Sequence, residues 1–217
     1  PAEVCGLRQN GAALMETLTH YDRELFYAIN HGLSHPLLDP VMWLITSLGL
    51  GWVQLLLLVA VSGYLVWRRV GYSVGRVVLL PGIVAFVGSG VMAQVIKHAV
   101  PRLRPSNLPD AIVAPDERIF HNSFPSGHTT TAFALAFWVF LLTYRTRYRW
   151  WGYGALLLAG LVGLSRVYRG VHYPSDVLTG AAIGMLWGAL VYLTLNRRAV
   201  PRAGESPPGS ASASPRV

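Results

Sequence analysis

The sequence predicts an all-α fold: a polytopic transmembrane helical bundle of five to six spans with a short interfacial helix at its N-terminus. Three observations carry that expectation. Of 217 residues, 53% are hydrophobic and only 13% are charged, about half the charged share of a soluble domain. Several uncharged runs match or approach the roughly 20 residues that a helix needs to cross a bilayer, and one exceeds it. Gly (22) and Trp (7) are plentiful, which suits helices packed closely in lipid with aromatic rings at the interfaces.

Residues 1–35 form an N-terminal segment, in which 1–20 show little pattern. From Tyr21 to Asn30, Leu25, Phe26 and Ile29 share one side of a helix, while Asp22, Arg23 and Glu24 are polar. That distribution suits a helix lying at the membrane surface; a helix capping the bundle fits equally well. Residues 36–197 carry the transmembrane domain. Val41 to Trp67 is free of charge and long enough to tilt or to contain a break at Gly49–Gly51. Val77 to Ile96 is a second run, ended by Lys97, and Thr129 to Tyr144 is a third. Trp150 to Ser165 is a fourth, short and bounded by Trp and Arg, and Val177 to Leu195 is a fifth. A sixth span could come from the N-terminal segment or from residues outside this sequence, and it is not counted. Residues 198–217 are rich in Pro, Ser, Gly and Ala and read as a disordered cytoplasmic tail.

The net charge is +8, and its distribution sets an orientation. Arg68, Arg69, Arg76, Arg145, Arg147, Arg149, Arg197 and Arg198 fall in the connections on one side of the five spans. By the positive-inside rule that side faces the cytoplasm. Pro101–Pro125 and Arg166–Ser175 then lie on the opposite face, periplasmic if the membrane is a bacterial inner membrane. No basic recognition module accompanies the charge, so no nucleic-acid partner is expected. Cys5 is the only cysteine, which excludes an internal disulfide and a cysteine zinc site. The N-terminal stretch carries no signal-peptide pattern, and nothing in the sequence selects an oligomeric state.

The outward face collects polar groups at the span ends: Lys97, Arg104, His128, Arg166, His172 and Asp176. Three cations directed at one place imply an anion, and Lys97, Arg104 and Arg166 suit a phosphoryl group. Each taken singly also fits a side chain snorkelling to headgroups. Phe124-Pro125-Ser126-Gly127-His128 opens a helix. Ser126 suits the N-cap, Gly127 permits close approach to the backbone, and free N–H groups there suit phosphate oxygens. His172 and Asp176, four residues apart, can meet on a helix, or His172 can sit just before one that begins at Pro174. The carboxylate can fix the imidazole tautomer and free the other nitrogen for attack. Two His and one Asp can also ligate a cation, but three neighbouring positive charges oppose it.

These residues form three motifs. Lys97 through Arg104-Pro105 reads Lys-x6-Arg-Pro, Pro125 to His128 reads Pro-Ser-Gly-His, and Ser165-Arg166 with His172 and Asp176 reads Ser-Arg-x5-His-x3-Asp. Complete and in order, they resemble the type 2 phosphatidic acid phosphatase superfamily, which also includes vanadium-dependent haloperoxidases. The resemblance covers Lys97 to Asp176 and the flanking spans. It implies that His172 attacks phosphorus, that Asp176 orients it, and that His128 protonates the leaving oxygen and then activates water. It implies that Lys97, Arg104, Ser126, Gly127 and Arg166 hold the phosphoryl group, with no metal and no other cofactor. The partner it implies is a lipid phosphate within the bilayer. Undecaprenyl diphosphate is the first candidate; phosphatidylglycerophosphate, phosphatidate and lipid A phosphates are the rivals. Halide oxidation is disfavoured by the apolar spans, since the halide-oxidising relatives are soluble. A non-catalytic binder or flippase needs only the cations and leaves His128, His172 and Asp176 without a task. Arg102 and Arg169, at variable motif positions, are read as solvated loop residues or contacts to a second phosphate or headgroup. His121 and Asn122 are read as solvated or as lining the entrance.

Overall fold

The structure, a computed structural model, describes residues 2–68, 75–117 and 119–196. Among these residues it is all helical, with no strand: α1 (Ala2–Gly32), α2 (Asp39–Ser47), α3 (Gly51–Trp67), α4 (Leu80–Ala99), α5 (Gly127–Thr143), α6 (Arg149–Tyr168) and α7 (Pro174–Val191). A π-helical turn, Gly75–Leu79, leads into α4, and another, Tyr192–Asn196, follows α7. Val77–Ala99 and Pro174–Asn196 are each long and apolar enough to cross a membrane, and α2 with α3 makes a third such unit if the bent pair counts as one span. The tail expected over 198–217 lies outside the described residues.

The first apolar run is indeed broken. Its two halves meet at 63°, and Leu50 turns extended before α3 begins. Gly49 occupies the break because nothing larger fits. A Cβ there would lie 2.7 Å from Cδ2 of His128 and 2.8 Å from Val162. The break therefore rests directly on α5 and α6, next to a motif histidine.

Helices α5 and α7 form the tightest pair. Gly180, Gly184 and Gly188 recur every fourth residue and so line one face of α7. A Cβ on Gly180 would sit 2.9 Å from the Ser126 carbonyl oxygen, and one on Gly188 would sit 2.5 Å from that of Ala134. A Cβ on Gly184 would strike the Thr130 carbonyl. Small residues let two backbones approach in lipid, where burial against hydrocarbon gives no other drive to associate. At the far end of the bundle, Trp138 donates to Asn196 at 2.8 Å, and Asn196 donates to the Val77 carbonyl at 2.6 Å.

The N-terminal helix departs from expectation in two respects. It runs from Ala2, although residues 1–20 carry little periodicity. Its inward face also departs from Leu25–Phe26–Ile29 at one position: Leu25 is 50% exposed, while Phe26 and Asn30 are fully buried and Ile29 packs against the Phe26 cluster. Polar contacts set this rotation. Asn30 donates to the carbonyls of Ile112 and Tyr168 and accepts the Ile112 N–H, all within 2.9 Å. Phe26 packs with Val167 and Tyr173. The helix thus caps the bundle end where α6 stops and α7 starts.

Replacing Gly184 with Ala forces α7 away from α5, because the obstacle is backbone. The expected loss is about 1–3 kcal/mol of stability, read as a lower unfolding midpoint of the purified protein in detergent. An unchanged midpoint would show that the contact is not tight.

Candidate active site

The three motifs arrive from four element ends. Lys97 closes α4, Arg104 stands in the connection, Ser126 to His128 open α5, Arg166 ends α6, and His172 and Asp176 flank the start of α7. Backbone bonds tie these ends together. The Ser126 N–H donates to the Asp176 carbonyl at 3.1 Å, and the His172 N–H donates to that of Arg166 at 3.3 Å. The connection folds on itself, with Arg104 N–H bonding Phe120 and Ser123 N–H bonding Arg102.

His172 precedes α7, with Pro174 as the first helical residue, so the pair is not intrahelical. Its Nδ1 lies 3.5 Å from Oδ2 of Asp176, longer than a well-formed hydrogen bond. Asp176 is fully buried. The same Oδ2 accepts the Tyr173 N–H at 2.9 Å and the Ser123 hydroxyl. On the other side of the ring, Nε2 stands 3.2 Å from Nη1 of Arg104. A guanidinium can only donate, so Nε2 carries the lone pair and Nδ1 the proton. That is the tautomer a nitrogen nucleophile needs. Burial, followed by the nearby Arg104 and Arg166, pushes the His172 pKa down to about 3, against the opposing pull of Asp176. The imidazole is therefore neutral at physiological pH.

The cations are held by the loop. Arg104 is buried and donates from Nε to the His121 carbonyl at 2.8 Å and from Nη1 to that of Val171 at 3.1 Å. Burial and the neighbouring Arg166 both lower its pKa, the mark of positive charge crowded without enough anion. Lys97 reaches the Asn122 carbonyl at 3.3 Å. His121 and Asn122 have exposed side chains and contribute backbone oxygens instead. Arg166 donates to Thr46 at 2.7 Å and to both oxygens of Glu117, while its buried Nε has no partner among the described residues. His128 lies within Coulombic reach of Arg166, Glu117, His172 and Lys97. The structure therefore brings all the sequence-identified residues to one end of the bundle.

Ser126 occupies the N-cap position, but its hydroxyl makes no cap bond to the backbone; it accepts from Thr129 at 2.8 Å instead. The first-turn N–H groups of α5 are left without a side-chain cap, beside open space at Gly127. That end of the helix suits an anion better than a capped one would.

Two sequence readings need correction. Arg169 is neither solvated nor available to a second phosphate: it is buried and paired with Asp116 and Glu117. Arg102 bridges Asp22 and Asp176 and stacks on the Tyr173 ring. A buried guanidinium takes carboxylate partners wherever the fold supplies them. Glu117, Asp22, Ser123 and Thr46 went unnoticed because they lie outside the motifs. A signal was present for Glu117, an acid in the one connection where basic motif residues cluster. Among the described residues no three His, Cys, Asp or Glu side chains are grouped to hold a metal ion.

Residues 77–199 match the PAP2 superfamily. A lipid A 4'-phosphatase of Porphyromonas gingivalis is 30% identical over 82% of this chain and 74% of its own length. The bacitracin transport permease protein BcrC of Bacillus licheniformis is 29% identical over 75% and 74%. The crystal structure of a transmembrane PAP2-type phosphatidylglycerolphosphate phosphatase from Bacillus subtilis superposes with a TM-score of 0.66 at 27% identity, covering 81% of this chain and 84% of that one.

Glu117 yields a test. Burial alone would raise its pKa, but the hydrogen bonds and charge of Arg166, then Arg169, outweigh this and hold it below the usual carboxylate value. Glu117→Gln should cost about 3 kcal/mol at neutral pH, since it leaves buried guanidinium charge without its acid. The stabilisation from Glu117 is complete above the unfolded carboxylate value, about 4.3, and is lost as pH falls through the lower folded one. Unfolding of the two proteins measured from pH 7 downward should differ steadily and converge only below about pH 4. A gap that stayed constant into acid would exclude the ion pair.

Proposed function

The chain belongs to the PAP2 superfamily and is a membrane phosphatase, and from that premise we propose that it hydrolyses a lipid phosphate or diphosphate through a phosphohistidine on His172. The observation that carries the reading is the pairing at His172: an acid behind Nδ1, and Arg104 donating to the lone pair of Nε2 at 3.2 Å. A phosphoryl group entering there finds a neutral nucleophile and a cation aligned on one nitrogen.

In the proposed reaction Nε2 attacks phosphorus and the bond to the leaving oxygen breaks. His128 supplies a proton to that oxygen, then takes one from the water that hydrolyses the phosphohistidine. Asp176 balances the positive charge that develops on the ring. Lys97, Arg104, Arg166, the Gly127 backbone and Ser126 hold the equatorial oxygens. These groups meet the charge of the transition state without a metal ion.

The favoured substrate is undecaprenyl diphosphate, converted to undecaprenyl phosphate. Phosphatidylglycerophosphate, phosphatidate and lipid A phosphate are the alternatives, and relatives named for two of these chemistries lie at similar distance. An open, largely apolar face of α4 along Phe86, Val87, Val91, Gln94, Val95 and His98 offers a lipid tail a surface to lie against. We place five spans in a bacterial inner membrane: α2 with α3, then α4, α5, α6 and α7, with the site facing the periplasm. The arginine-rich connections support that orientation. Residues 1–35 then form a surface segment whose Leu14, Leu18, Tyr21 and Leu25, all exposed, face the interface. Residues 36–197 form the phosphatase domain and 198–217 a cytoplasmic tail.

His172→Ala should lower phosphate release by roughly 10³-fold or more while lipid binding stays measurable; full turnover would remove the nucleophile assignment. Vanadate should inhibit, because it adopts the five-coordinate geometry of the transition state. Activity should persist in EDTA, and a loss restored by one divalent ion would contradict the metal-free route. Turnover of the purified protein against the four lipids, matched for surface concentration, ranks the substrates.

A further inference from the structure

We propose that Arg102 and Asp22 form a positioning unit for the His172–Asp176 pair, so that α1, a helix outside all three motifs, governs the rate of the chemical step. Asp176 has to present Oδ2 to His172 Nδ1. That oxygen already accepts Tyr173 N–H and Ser123, so the orientation of the carboxylate depends on what holds Oδ1. Its partner is Nη1 of Arg102 at 2.6 Å. The same Nη1 donates to Ser175 at 2.8 Å, and Nη2 donates to Oδ2 of Asp22 at 2.7 Å. Asp22 closes the ring by accepting the Ser175 N–H at 2.9 Å and its hydroxyl at 2.5 Å. The guanidinium lies 4.2 Å over the Tyr173 ring, which fixes its plane as well as its position.

Snorkelling does not account for this. Arg102 is 26% exposed, yet both of its terminal nitrogens turn inward to carboxylates. Without the guanidinium, Oδ1 of a fully buried carboxylate loses its donor, and the group rotates or takes up a proton. The 3.5 Å separation from Nδ1 leaves little tolerance, since a misplacement on the order of 1 Å can cost ~10²-fold in rate. Asp22 matters because it holds the second arm. An Arg102 released from Asp22 is free to swing into solvent. The motifs of the proposed reaction thus depend on a carboxylate 80 residues upstream of Arg102.

The kinetic part of the test rests on the phosphatase reading above. Arg102→Met should lower kcat about 10²-fold with KM unchanged, and Asp22→Asn should lower it less. Asp22→Glu should recover most of the rate. The double variant should be no worse than Arg102→Met alone, because coupled residues are not additive. Unchanged kcat in Arg102→Met, a loss confined to KM, or additive losses would each overturn the proposal. A second readout needs no turnover. Nitrogen NMR of labelled histidine should report the Nδ1-protonated tautomer of His172 in the parent protein. In Arg102→Met, or in Asp22→Asn if the former does not fold, the tautomers should mix. A fixed tautomer in both variants overturns the unit. A tautomer change in a protein that releases no phosphate from any lipid refutes the phosphatase reading and leaves the unit standing.

Discussion

The structure depends on keeping several ionised side chains buried at one end of an apolar bundle. Arg104, Arg166, Arg169 and Asp176 are all nearly or wholly buried, where an unpaired charge costs several kcal/mol. Each therefore has to find counter-charges or lone pairs. Arg166 and Arg169 share Glu117, and Asp176 takes Arg102. The described partners of Lys97 and Arg104, by contrast, are carbonyl oxygens and the His172 ring. The compensation is uneven, and its deficit lies beside the nucleophile candidate. In the proposed reaction an incoming phosphate supplies the negative charge that those two cations lack.

This electrostatic arrangement needs element ends brought together to within a hydrogen bond, and that is the task of the glycine stripe on α7. With Gly180 against the Ser126 carbonyl, the opening turn of α5 and the opening turn of α7 share backbone contact, and Ser126 N–H reaches Asp176. Gly49 does the same for the bent α2–α3 pair, whose break lies on His128. Helix packing and site geometry are therefore one constraint: a methyl group in either place separates groups that must act together.

What the sequence revealed follows from the same division. The apolar runs were legible because a bilayer imposes a minimum length on them, and the motif residues were legible because loop charges at span ends are few. Gly49–Gly51 was legible as a break because two glycines interrupt an uncharged run. The contacts of Glu117, Asp22 and Asn30 were not, because each depends on tertiary rotation. Asp22 and Asn30 lie two turns apart on a helix whose apolar residues placed Leu25 on the inward face as well. Its true face is set by hydrogen bonds to Arg102, Ser175, Ile112 and Tyr168, which periodicity cannot register. Arg169 was misread for a related reason, since a solvated and a buried guanidinium look alike until the acids beside it are placed.

The same separation of tasks fits a family whose members are named for different lipids. In the proposed reaction the phosphate meets a buried polar cluster at the bundle end, several of whose donors are held in place by hydrogen bonds. In the same proposal the tail lies against the outer surface of helices such as α4, where Val87, Val91 and Val95 face outward. That surface has to be apolar and little more, because hydrocarbon offers no directional contacts to select among. On the proposed reading, exchange of one lipid for another is accommodated along this outer surface, with the motif residues Lys97, Arg104, His128, Arg166, His172 and Asp176 unchanged. On the proposed reading the reaction is carried by charge at the bundle end, and an apolar outer face does not by itself single out one lipid.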